Sequence, residues 1–228
     1  MSTSKTHCMS NTNKHNTPQI LIVAALAQES HPFVKMLESI KYLSHNCVVG
    51  SWNTFTVCVL TCGVGVRSSE ALTAALLQQS SFECILNIGT CGALTNNLPV
   101  GTVCAVSSVH YRDAPAILID RSTNCRLITV KRPIADPNIR AEHTSLADIC
   151  DMEGYSIASV AQKFAPQTPL HLFKVVSDLA GKESDQALNV GGRADRVAHF
   201  KSRAKQLSSL RLLPHTQNWL VQNDGILF

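Results

Sequence analysis

Three short apolar runs constrain this chain most: "QILIVAAL" at 19–26, "ECILNIG" at 83–89 and "LHLFKVVSD" at 170–178. Runs of this length and composition suit strands buried on both faces, which occur almost only in sheets covered by helices on both sides. The segments between them read in the same way. Phe33, Val34, Leu37 and Ile40 recur at helical spacing, predicting a helix over 28–40. Residues 47–50 and 53–60 read as paired strands turning around Ser51, and 68–79 as a helix. "GTCGAL" reads as a turn closing the second apolar run, and Pro99 and Gly101 mark another turn before a strand over 102–111. Short strands fit 116–119 and 126–130, and a helix fits 153–164. A last helix over 199–213 would place Phe200, Ala204, Leu207 and Leu210 on one face, whereas the residues from Pro214 onward give no clear pattern. Alternating strands and helices predict an α/β fold, a single three-layer α/β/α domain around a mixed, largely parallel sheet.

With 228 residues, 45% of them hydrophobic, the chain can bury one sizeable core. Residues 19–228 are expected to form that domain, and the polar stretch 1–18 a disordered tail without the apolar centre of a secretory signal. No run approaches the roughly 18 apolar residues of a membrane span. The nine cysteines are odd in number, form no C-x-x-C pair and sit largely in apolar runs. They predict a reducing, cytoplasmic setting and no disulfide framework. The formal charge of +4 is modest, and the cluster Arg193, Arg196, Lys201, Arg203, Lys205 and Arg211 reads as a solvated helix face, not a nucleic-acid groove. The nine histidines lack metal-ligand spacing.

Ligands in open α/β sheets bind beyond the carboxyl ends of the strands. There the first run delivers Glu29, the second Thr90, Cys91 and Gly92, and the third Ser177 and Asp178. The pair Met152–Glu153 opens a helix leading into that third run, with Asp151 just before it. Three carboxylates, Glu29, Glu153 and Asp178, would then face one crevice. Each has a plainer reading: Glu29 and Glu153 favour a helix dipole, and Asp178 caps a turn.

The pieces "ILIVAALAQES", "CGVGVRSSEALTAALL", "ILNIGTCGALTNNLPVGTV", "VHYRDA", "DMEGYSIASVAQ" and "VVSD", in that order, give the chain a resemblance to the nucleoside phosphorylase and nucleosidase superfamily. It most resembles the bacterial 5'-methylthioadenosine/S-adenosylhomocysteine nucleosidases and their futalosine hydrolase relatives. The resemblance implies that Glu29 activates an attacking water and that Asp178, beside Ser177, protonates N7 of a purine leaving group. It implies that Glu153 accepts the ribose hydroxyls, Met152 packs on the sugar, Thr90 lies near the water, and Cys91 and Gly92 form a wall near the base. It also implies a homodimer acting on a small purine nucleoside without a cofactor. Breaking an N-ribosidic bond builds positive charge on the sugar and negative charge on the base, so an acid at the base and carboxylates at the sugar both help in the transition state. A phosphorylase must hold a phosphate dianion. The loop "AALAQESHP" offers no Arg or Lys and instead carries Glu29, which favours water as nucleophile.

The stretch 113–151 is shorter than the resemblance leads one to expect, and "LITVKRPIADPN" contains no aromatic to stack on the base. Pro133 or Ile134 stands where that aromatic would be. A more open pocket suits a nucleoside with a bulky 5′ substituent, and Lys131 or Arg132 offers a partner for an aryl carboxylate. The expected reaction is therefore hydrolysis of futalosine or 6-amino-6-deoxyfutalosine, in menaquinone synthesis. The close alternative is hydrolysis of methylthioadenosine or S-adenosylhomocysteine. A phosphorylase and a binding protein without catalysis come after these.

Overall fold

The computed structural model describes residues 19–180 and 193–223; the stretch 1–18, read as a tail, lies outside them. Strand β1 (Gln19–Ala24) runs at the centre of the sheet, parallel to β4 (Phe55–Thr61) on one side and β5 (Cys84–Ala93) on the other. Beyond β4 lie β3 (Cys47–Trp52) and the edge strand β2 (Glu38–Ser44), both antiparallel. On the other side β5 has two partners, β10 (Leu170–Leu179), which is parallel, and the short antiparallel β9 (Ile149–Asp151). From β10 the pairing continues through β6 (Val103–Tyr111) and β8 (Cys125–Thr129) back to β9. The ten-stranded sheet therefore curls at this end into a ring of β5, β10, β6, β8 and β9, and β7 (Ala114–Leu118) hangs on β6.

Side chains alternate across the flat part. Ile20, Ile22, Leu86 and Ile88 point to one face, where they pack with Phe33, Leu212 and Leu220. These come from α1 (Ala27–Lys35), a π-helical segment (Ser208–Leu212) and the helix that follows it. Leu21, Val23 and Ile85 point to the other face, against Leu77 of α2 (Val66–Leu77) and Ile157 and Val160 of α4 (Gly154–Phe164). Helices thus cover both faces, as strands apolar on both sides require. The ring is filled by Cys91, Cys104, Val106, Leu127, Ile149 and Val176. Each such aliphatic contributes roughly 1.5–3 kcal/mol on burial.

Several local expectations change. The first helix stops at Lys35, and Ile40 lies exposed in β2. Its helical spacing is incidental, because Lys41 and Tyr42 pair with Val49 and Val48 in a hairpin. "GTCGAL" is not a turn: β5 continues to Ala93, and its small residues let β9 and β10 approach from both sides. Helix α3 (Pro137–Thr144) lies in the weakly patterned middle stretch. Its start is signalled by Asp136, which accepts from Asn138 N at 2.8 Å, and by Pro137 in the first turn. At the C-terminal end, α5 (Arg193–Leu207), the π segment and α6 (Leu213–Asn223) follow one another without a break. The buried residues there are Ala204, Ser208, Leu212, Thr216 and Leu220, every fourth position, and Leu210 is 64% exposed. A four-residue repeat drifts around an α-helix; the slower winding of i→i+5 bonds keeps the stripe on the sheet. Among the described residues no helix is long and apolar enough to cross a membrane.

Candidate active site

The carboxyl ends of the parallel strands β1, β4, β5 and β10 lie at one end of the sheet, the candidate site. Glu29 enters it from the first turn of α1 and is 2% exposed. Its Oε2 accepts Leu26 N at 3.0 Å, and its Oε1 accepts both Thr90 N and Thr90 Oγ1 at 2.8 Å. The end of β1 and the end of β5 are thus tied by one carboxylate. Gly89 lets this happen: a β-carbon there would stand 3.4 Å from Glu29 Oε1 and 3.5 Å from Lys174 Nζ.

Glu153 precedes α4 and is also buried; its Oε1 accepts Gly65 N at 2.7 Å. Gly65 has φ of 92°, a conformation that costs glycine little, and it turns its N–H toward Glu153 at the start of α2. Burial and the neighbouring Asp151 push the Glu153 carboxyl up to about 7, against the opposing pull of Lys174 and the Gly65 N–H. Met152 lies between the two acids, partly exposed.

Asp178 lies at the end of β10, where a bulge between Val176 and Asp178 breaks the register with β5. Bulges re-aim side chains in this way next to functional sites. Ser177 Oγ is 2.6 Å from Asp178 Oδ2 and 3.1 Å from the Cys91 carbonyl oxygen. The Ser177 hydroxyl has one proton to share between these two acceptors, the Asp178 carboxylate and the Cys91 carbonyl. Gly92 faces the same carboxylate: a β-carbon on it would lie 3.3 Å from Asp178 Oδ1 and 3.2 Å from Cys150 Sγ.

The structure thus brings Glu29, Thr90, Gly92, Glu153, Ser177 and Asp178 to the same end of the sheet. Cys91 contributes its carbonyl, while its thiol packs into the ring core. Ile134 is buried with Leu94, Cys150 and Ala180, and Cys150 and Ala180 both flank Gly92; Pro133, Lys131 and Arg132 are exposed.

Two residues here were not singled out for function by the sequence. Asp151, read only as a neighbour, accepts Thr129 Oγ1 at 2.8 Å and Gly154 N at 2.9 Å. Lys174, in the middle of β10, is 2% exposed, and its Nζ lies 2.9 Å from Asp151 Oδ2. Burial works against its charge, but Asp151, Glu153 and Glu29 together override that and hold the amine above its usual value. The available signal was a lone lysine inside an apolar strand, which must have a buried partner.

Comparison with known proteins gives a consistent picture. The family profile described as "Phosphorylase superfamily" matches residues 19–144. The 5'-methylthioadenosine/S-adenosylhomocysteine nucleosidase of Buchnera aphidicola is 32% identical, covering 92% of this chain and 94% of its own. Among solved structures, the nucleosidase of the same name from Colwellia psychrerythraea, in complex with adenine, superposes with a TM-score of 0.70 at 19% identity, covering 85% of this chain and 92% of its own. Futalosine hydrolase of Helicobacter pylori superposes equally well, with a TM-score of 0.70 at 17% identity over 86% and 96% of the two chains. A profile match over more than half the sequence and a 32%-identical relative aligned along nearly all of it show that the chain belongs to the phosphorylase superfamily, as a member similar to the 5'-methylthioadenosine/S-adenosylhomocysteine nucleosidases.

Proposed function

We propose that this protein is a purine-nucleoside N-ribosyl hydrolase with water as nucleophile. The observation that carries the reading is that Glu29, Glu153 and Asp178 lie at the same end of the sheet, together with a buried cation, Lys174, already paired to Asp151. Such a site favours a sugar that gains positive charge and disfavours a phosphate dianion. Glu153 accepts the ribose hydroxyls, beside Met152. Asp178 gives its proton to N7 as the C1′–N9 bond breaks and its electron pair moves to the base. Glu29 takes a proton from the water whose oxygen bonds to C1′, with Thr90 holding the carboxylate. This division between acid and base parallels glycoside hydrolysis.

For the substrate we favour futalosine or 6-amino-6-deoxyfutalosine. Support comes from the stretch around Pro133 and Ile134, which offers no aromatic side chain to stack on a base, and from the abrupt passage between β7 and β8, which spans only residues 119–124. Methylthioadenosine or S-adenosylhomocysteine is the second reading, favoured by the 32%-identical relative of that name. The reading includes a cytoplasmic homodimer that needs no cofactor. All eight described cysteines are free thiols, in keeping with a reducing compartment.

The test is release of free base. Purified protein is given futalosine, 6-amino-6-deoxyfutalosine, methylthioadenosine and S-adenosylhomocysteine, with and without phosphate, and hypoxanthine and adenine are followed by chromatography. Phosphate-independent release is expected, fastest from a futalosine-type substrate. Phosphate-dependent release makes the protein a phosphorylase, and intact recovery of every nucleoside refutes the proposal.

A further inference from the structure

Cys47 and Cys58 take no part in the reaction set out above, yet their sulfurs lie 3.3 Å apart. The arrangement follows from strand register. In the antiparallel pair of β3 and β4, Cys47 stands opposite Leu60 and Val49 opposite Cys58, so the two cysteines are diagonal neighbours on one face. That face packs against Leu77 of α2 and Phe82. Both thiols are buried, and either sulfur can donate to the other. An S–H aimed at a neighbouring sulfur favours the thiolate there, although burial opposes it. A cavity of about 90 Å³ has Cys58 in its wall, with Val49, Leu76 and Ser80, and reaches the surface beside the exposed Leu43. A water takes about 30 Å³ of liquid, so this cavity admits a molecule the size of hydrogen peroxide and excludes bulky reagents.

We propose that Cys47 and Cys58 form a site of reversible oxidative modification, a dithiol that a small peroxide converts to a disulfide. The thiolate of one attacks the peroxide. An S–O bond forms, the O–O bond breaks, and the departing hydroxide takes up the proton that the thiol released, giving water. The second sulfur then attacks the first: the S–S bond forms, the S–O bond breaks, and the hydroxyl leaves as water with the second thiol's proton. The two thiols lose two electrons, and the peroxide gains them. Closing the bond brings the sulfurs from 3.3 Å to about 2.05 Å. Strand β3 can supply that movement, because only β2 lies beyond it and every residue of β2 is exposed. The contact also decides the product. A second thiol already beside the sulfenic acid captures it before another peroxide carries it to the sulfinic acid.

The test treats the reduced, folded, full-length protein with hydrogen peroxide, blocks the remaining thiols with N-ethylmaleimide in acidic denaturant, and maps chymotryptic peptides by mass spectrometry without reduction. Cleavage after Trp52 and Phe55 separates Cys47 from Cys58, and cleavage after Leu60 separates Cys58 from Cys62. The expected result is a loss of two of the nine thiols, a major crosslink joining the Cys47 and Cys58 peptides, and recovery of both thiols with dithiothreitol. Peroxide-treated protein that is first unfolded is expected to give mixed crosslinks instead. Three results from the folded protein overturn the proposal: both cysteines recovered as the maleimide adducts, sulfinic acid on either in place of the crosslink, or crosslinks that join other pairs such as Cys104 and Cys125 and omit this one. The measurement uses no nucleoside, so its outcome is independent of the proposed reaction.

Discussion

Glu29→Gln exposes the logic of the site because the substitution changes few atoms. The glutamate accepts three hydrogen bonds: Thr90 N and Thr90 Oγ1 on one oxygen, Leu26 N on the other. A glutamine has one oxygen and one NH2. With its oxygen toward Thr90, the amide nitrogen faces the Leu26 N–H, donor to donor. With the amide reversed, the Thr90 hydroxyl can rotate and accept, but the Thr90 backbone N–H is opposed. Either way one backbone N–H loses its acceptor at a buried position, at a cost of about 1–3 kcal/mol. For a chain of 228 residues that corresponds to a melting temperature lower by about 2–12 °C. The variant also loses its general base, which is worth about 10²–10⁴ in rate. Thermal unfolding and base release on the same preparation test the two effects together. A folded variant with near-normal turnover would remove Glu29 from the reaction. Unchanged stability with lost turnover would mean that the three hydrogen bonds do not hold the carboxylate as described.

Other substitutions separate the remaining roles. Asp178→Asn keeps the geometry but not the transferable proton, so base release should fall by about 10²-fold or more while nucleoside binding by calorimetry persists; normal turnover would exclude Asp178 as the acid. Gly92→Ala places a β-carbon 3.2 Å from Cys150 Sγ and 3.3 Å from both Ala180 Cβ and Asp178 Oδ1. Overpacking there should cost about 1–3 kcal/mol and lower kcat by displacing Asp178, which chemical denaturation and kinetics will show. Glu153 has its carboxyl raised from 4.5 to about 7, so the folded state binds more protons than the unfolded one across that window. Its contribution therefore destabilises progressively as pH rises, reaching on the order of 3 kcal/mol above pH 7. Glu153→Gln should accordingly be stabilised relative to wild type at pH 8 more than at pH 5 in thermal unfolding, while its nucleoside binding weakens; equal effects at the two pH values would contradict the burial of this carboxylate.

The sequence by itself determined the layered architecture. Runs such as 19–26 and 83–89 are apolar at consecutive positions, and only a sheet covered on both faces can bury both sets of side chains. It also placed Glu29, Thr90, Glu153 and Asp178 at strand ends or helix starts, because those positions are read from local pattern. What local pattern does not contain is which strands meet. The curl of β5 onto β9 and β10 turned "GTCGAL" from a turn into a strand, and the bulge beside Ser177 re-aimed Asp178; both depend on partners distant in the chain. The same holds for Lys174. Its one-letter context is an apolar strand, and only the meeting of β9 with that end of the sheet gives its charge a partner. At the C-terminal end Ala204 and Leu207 of the expected face do meet the core, but Leu210 lies exposed, since a π turn that no spacing rule announces resets which residues face inward beyond Leu207. Periodicity reports a residue's own element. The energy of a buried charge or a small residue is set by what packs against it, and in this fold that is decided by the tertiary pairing of strands far apart in sequence.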